Sequence, residues 1–260
     1  MVERRKSEKG RAQDCMTCIG KSLAGLVLLL IMAAGVHAQG MPGDSVKSTL
    51  IINPRLHSAG YFPFTGAMLN RDPVFDVNIF FERKRYGFFV FQSVDLVDRK
   101  SYVNYLQPGI FATCWINPKV RIRTFFGYIF SQTDGFSDST SDYYAAVQGA
   151  WTISDKVRIE NTLLFYDLTL GTKLANRLLV SWAIGKFKAD FYLWDRVVMG
   201  EKAHALSGSV GLTGPELKLS KKTSVLLTAS YMGYITEHRP SFALGDGFLF
   251  TLAVPVNVLP

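Results

Sequence analysis

The chain has 260 residues, 29 basic and 21 acidic, for a formal net charge of +8. Residues 1–38 hold six of the basic and three of the acidic residues, leaving a mildly basic 23 against 18 with none of the clustering that marks a nucleic-acid surface. Beyond residue 38 there is no run of about 18 apolar residues, which excludes a helical membrane span there, yet 13% of the chain is aromatic.

The N-terminus reads as a cleavable secretory signal over residues 1–38. Arg4, Arg5, Lys6, Lys9, Arg11 and Lys21 precede an apolar run from Leu23 to Val36, which closes on Val36-His37-Ala38. A basic region, an apolar region and a small-residue site in this order form an export signal. The run is shorter than the roughly 20 residues of a spanning helix; an uncleaved anchor is the alternative. Cys15 and Cys18 form a C-x-x-C that would leave with the signal, so Cys114 becomes the single remaining cysteine and no internal disulfide can form. Residues 39–47 read as a short N-terminal segment and residues 48–260 as one domain.

From residue 48 the period is two. Residues 74–82 set Phe75, Val77, Ile79 and Phe81 on one face against Asp76, Asn78, Phe80 and Glu82 on the other. The same alternation, rich in β-branched and aromatic residues, predicts strands over 48–56, 74–82, 85–95, 103–116, 119–131, 142–153, 156–167, 176–184, 187–196, 203–213, 223–235 and 247–258. Twelve strands result; ten or fourteen remain open. Tight turns fall near Arg83-Lys84, Asn117-Pro118, Ser154-Asp155 and Gly185-Lys186, with a longer one from Gly214 to Lys222. Between them lie longer polar connections, clearest at 66–72, 131–142 and 236–246; the connection at 97–101 is short for this pattern. Nothing in the pattern marks a connection folded back inside.

Trp115, Trp151 and Trp182 each precede a tight turn that carries a lysine. Tryptophan suits a membrane–water boundary, being apolar with one polar N–H. The three read as part of an aromatic girdle, although parity sets Trp115 opposite Trp151 unless a bulge intervenes.

With these features the chain resembles the bacterial outer-membrane β-barrel class, porin-like, over residues 45–260. The resemblance implies an all-β, antiparallel up-and-down barrel in an outer membrane, with both termini periplasmic. It implies outer-membrane lipid and the barrel assembly machinery as partners. The family's usual terminal aromatic is missing: the chain ends Asn257-Val258-Leu259-Pro260.

If the apolar alternates face lipid, the lumen receives Arg55, Asp76, Asn78, Glu82, Arg121, Arg123, Arg158, Glu160, Lys188 and Asp190. Two readings stay open: a charged constriction that selects solutes by sign, or a mutually neutralising network that stiffens a narrow barrel. Inward aromatics such as Phe89, Phe125, Tyr144 and Trp194 would narrow any passage.

Catalysis finds little support. A serine hydrolase needs a His that reaches a Ser. His57-Ser58 are adjacent and point oppositely, His204 and Ser207 are three apart, and His238 sits in a loop. No His/Cys cluster suggests a metal, and no cofactor motif occurs. The sequence therefore points to a small or gated channel or binding barrel for small polar, anionic solutes. The alternatives are a closed barrel that engages a protein partner through its loops or periplasmic rim, and a lipid-modifying enzyme.

Overall fold

The computed structural model describes residues 48–62, 67–98, 101–131, 141–198, 204–236 and 245–259. The signal expected over residues 1–38, the segment 39–47 and His238 lie outside them.

Twelve antiparallel strands close into a barrel. They are β1 (Ser48–His57), β2 (Val74–Arg83), β3 (Tyr86–Asp95), β4 (Tyr105–Asn117), β5 (Val120–Ser131) and β6 (Asp142–Thr152), followed by β7 (Val157–Tyr166), β8 (Lys173–Ile184), β9 (Phe187–Val198), β10 (His204–Thr213), β11 (Ser224–Tyr234) and β12 (Gly247–Ala253). Each strand pairs with its sequence neighbour, and β12 returns to β1. The order follows from the connections: two-residue turns can join only antiparallel neighbours. Lys84-Arg85, Pro118-Lys119 and Gly185-Lys186 are such turns, the first two each one residue later than the sequence pattern places them. Lys84 and Gly185 take positive φ, 57° and 61°, which matches the right-handed twist of the flanking strands.

The short turns gather at one rim with the start of β1, and the longer connections gather at the other. The connection after β3 is tied down by its own side chains: Asp95 Oδ1 accepts the N–H groups of Val97 and Asp98 at 2.8 Å, and Asn104 Oδ1 accepts that of Asp95 at 2.6 Å.

Closure is the least continuous seam. β1 pairs β12 over Arg55–His57, and Val256–Asn257 extends the pairing to Ile51 and Ile52. Between these stretches stand Pro54 and Pro255, which carry no N–H; only Val254 donates across, to the Pro54 carbonyl at 3.0 Å.

Parity sorts the walls. Leu56, Phe75, Phe88, Ile110, Trp151, Trp182, Phe191, Val210, Phe248 and Phe250 face outward and stay substantially exposed, as a lipid-facing surface requires. Inside, Tyr144 lies across the backbones of Gly109 and Gly127. A Cβ at Gly127 would stand 2.3 Å from the Pro108 carbonyl oxygen and 2.6 Å from the Tyr144 hydroxyl. Gly127→Ala is therefore expected to destabilise the refolded barrel by about 1–3 kcal/mol, read as a lower urea midpoint.

Candidate functional site: a half-filled lumen

The inward face divides into two unlike halves. Along β2–β8 it is packed. Phe89, Phe111, Tyr144, Leu164 and Tyr166 form a buried cluster with Phe80 and Phe125 against it. Phe80 stacks on Phe111 at 4.7 Å, and Phe89 meets Phe125 edge-on at 5.9 Å.

Charges in this half are paired. Arg123 Nη2 donates to both carboxylate oxygens of Glu82, at 2.9 Å each, and its Nε donates to Thr113 at 2.9 Å. Its guanidinium also lies over Phe80 and Phe111, 5.1 and 4.6 Å from the ring centres. Arg121 reaches Glu160 at 3.6 Å, Arg158 pairs with the same carboxylate, and Gln148 spans Glu160 and Thr162.

The other half, β8–β12 with β1, carries small polar residues inward, and a cavity of about 500 Å³ remains. Ser209, Gly211, Thr213, Thr228 and Ser230 form its smooth wall. Its basic lining residues are Arg55, Arg177, Lys186 and Lys188, against Asp190 and Glu216. It also touches Gly185, Lys186 and Gly214, so it opens at the short-turn rim.

A hydrogen-bonded chain marks the inner end of this cavity. Asp76 receives Arg55 at 2.7 and 3.1 Å, and its Oδ2 lies 2.8 Å from His57 Nε2. His57 Nδ1 lies 2.8 Å from Thr251 Oγ1. Both His57 and Asp76 are buried, and the chain bridges β2, β1 and β12 across the proline-bearing seam. The order Asp–His–hydroxyl has the form of a hydrolytic relay. However, Asp76 is held by Arg55, and Thr251 lies in a strand paired on both sides, where backbone N–H groups are committed to the ladder.

The ten residues expected in the lumen all stand at inward registers, but not as one constriction. Lys188 and Asp190 form a pair at 3.0 Å in the cavity wall, and Arg55 also lines the cavity, from β1. Arg121, Arg123, Arg158, Glu82 and Glu160 belong to the packed half. Asn78 faces Asn53 across β1 and β2. Trp151 and Trp182 face outward near the short-turn rim. Trp115 does not join them: it pairs with inward Arg121, whose guanidinium lies 5.9 Å from its ring, and the bulge falls only after it. Sequence reasoning did not identify the His57 network, whose partners Asp76 and Thr251 stand on neighbouring strands far off in the chain. It also missed the connection after β1. Tyr61 and Met68 of that connection enter the barrel mouth and pack with Trp194, Met232 and Leu249. The isolated apolar residues at 61, 62 and 68 were the available signal.

No family model and no curated protein matches the chain. Solved structures do. The KdgM porin superposes with a TM-score of 0.52 at 12% identity, covering 79% of this chain and 98% of that one. An outer membrane channel from Pseudomonas putida F1 gives 0.51 at 10%, covering 84% and 100%. The NanC porin gives 0.50 at 9%, covering 80% and 98%. The fold is that of the outer-membrane porin barrels. The KdgM porin has also been solved in complex with disordered oligogalacturonate.

Proposed function

We propose that this chain is exported through the signal at residues 1–38 and serves in an outer membrane, both termini periplasmic, as a small channel or binding barrel for small polar, anionic solutes. The observation that carries the reading is the one-sided lumen. The path runs along β8–β12 and β1, where hydroxyls and four basic residues meet two carboxylates. The oligogalacturonate bound by the KdgM porin, carboxylated by name, supports the same solute class. Arg121, Arg123 and Arg158 act in this reading as structural ion pairs, and Arg55, Arg177 and Lys188 set the sign of selectivity. Trp151 and Trp182 anchor the short-turn rim at the membrane boundary. Outer-membrane lipid and the barrel assembly machinery are the expected partners.

Refolded residues 39–260 in a planar bilayer under a salt gradient test this directly. Stable unitary conductance with an anion-selective reversal potential is expected. A correctly folded but silent barrel would favour a closed barrel engaging a protein partner.

A further inference from the structure

Among the described residues, the wall that faces lipid carries a contiguous polar stripe. Asn161 on β7, Asn176 on β8 and Asp195 on β9 stand at outward registers, in step with Leu163, Leu178 and Leu193 of the same strands. Asn161 Nδ2 donates to Asn176 Oδ1 at 2.7 Å, and Asp195 is the direct register partner of Asn176. On the other flank, Gly149 of β6 is the direct partner of Asn161. A Cβ at Gly149 would meet nothing within 4 Å, so the wall is recessed beside the amide pair.

The stripe lies inside the apolar band rather than at its border. Trp151 and Trp182 mark the short-turn boundary, and Asn176 stands six residues up β8 from Trp182. At about 3.3 Å per residue and a tilt of about 40°, that is roughly 15 Å into a band about 25 Å tall. Phe165 and Leu174 continue the apolar face beyond the stripe, and Ile159, Val180 and Phe191 continue it below. Apart from tyrosines, the outward polar side chains elsewhere between the described rims stand singly. They are Gln92 on β3, which donates to the Ser93 carbonyl at 3.3 Å, and Thr124 on β5.

Polar groups at this depth are costly unless something other than lipid meets them, because acyl chains neither donate nor accept. A side-chain amide does both. After their mutual bond, Asn161 keeps its carbonyl and one N–H, and Asn176 keeps both N–H groups; no further partner among the described residues meets them. This set is its own complement. Across a two-fold axis along the membrane normal, the Asn161 of one copy offers an N–H to the carbonyl of the other's and receives one in return. Asp195 adds an acceptor beside the Asn176 N–H groups. We propose that β6–β9 form a homodimer face: two copies of this chain pack wall to wall in the membrane, joined through Asn161 and Asn176, with the recess at Gly149 admitting the opposing wall. The inference rests on the lipid-facing wall and not on conduction, so it stands or falls apart from the solute reading.

Residues 39–260 with one fluorophore per chain on a C-terminal tag, reconstituted at high dilution into lipid vesicles, should bleach in two steps per spot. Leu178→Cys in a Cys114→Ala background sets a thiol on the outward face directly opposite Asn161. Oxidation should crosslink it about tenfold faster than Phe75→Cys in the same background, which stands on β2 across the barrel. Asn161→Leu with Asn176→Leu should return one-step bleaching and slow crosslinking at residue 178 about tenfold, as the loss of two hydrogen bonds predicts. One-step bleaching of the parent chain would overturn the dimer. Equal crosslinking at residues 178 and 75 would overturn the face, and two-step bleaching retained by the folded double variant would overturn the role of the amides. Heat-modifiable migration in electrophoresis certifies the fold of each variant, and the parent bleaching count needs none of them.

Discussion

Removing the Glu82 carboxylate should be among the most damaging single changes in this barrel. Glu82→Ala strands the Arg123 guanidinium at 6% exposure against two stacked phenylalanine rings, with Thr113 as its remaining hydrogen-bond partner from this group. Breaking a buried pair from one side costs about 3–5 kcal/mol. Urea unfolding of the refolded protein, followed by tryptophan fluorescence, reads this as a midpoint shift. Taking both charges out, with Glu82→Leu and Arg123→Met together, should recover most of the loss, because the site is already walled by Phe80 and Phe111. The reversal potential of that double variant should match the parent. A large change in ion preference would return these residues to the selectivity path.

The opposite pattern is expected from Arg177→Glu combined with Lys188→Glu. Both side chains line the open cavity, and Lys188 is 52% exposed even while paired with Asp190. A unit charge about 8 Å from a passing ion is worth roughly 2 kcal/mol at an effective dielectric constant of about 20. Counter-ions in a wet cavity weaken this. Even half that energy changes the occupancy of each ion about fivefold in opposite senses, so the ratio of anion to cation occupancy shifts roughly thirtyfold for each unit of charge removed. The double reversal should turn an anion-selective reversal potential into a cation-selective one with little loss of stability. An unchanged sign would place the ion path elsewhere.

Period-two alternation carried the architecture because a lipid-facing wall must be apolar at every second residue, and short turns admit only antiparallel neighbours. Twelve strands, the one-rim arrangement of tight turns and the inward face of Arg55, Asp76 and Lys188 all follow from that one-dimensional signal. What it does not carry is distance across the lumen. The pairing of Arg123 with Glu82 joins residues 41 apart, and His57 meets Thr251 across 194. Which half of the barrel is packed depends on where large residues land around the ring, and no single strand reports that. For Trp115 the parity decides: its neighbours repeat those of Trp151, but with no bulge before it the chain keeps it on the opposite face. Tyr61 and Met68 sit in a connection, where no period exists to reveal that the chain has turned inward.

Pro54 at the closing seam bears on a moment before the finished barrel exists. A sheet that has formed from β1 to β12 but not yet joined its ends shows two bare edges, each a template for a strand of another chain. Pro54 deletes a donor from the β1 edge, where its carbonyl faces β12 and accepts the Val254 N–H, whereas Pro255 faces β11, its carbonyl accepting the Ser224 N–H. A foreign strand finds a broken ladder on the β1 edge. The protein's own edges have more to offer each other, because Arg55, Asp76, His57 and Thr251 connect across the gap. The seam is thus poor for strangers and adequate for itself, which protects the half-built sheet from self-association while it waits to close.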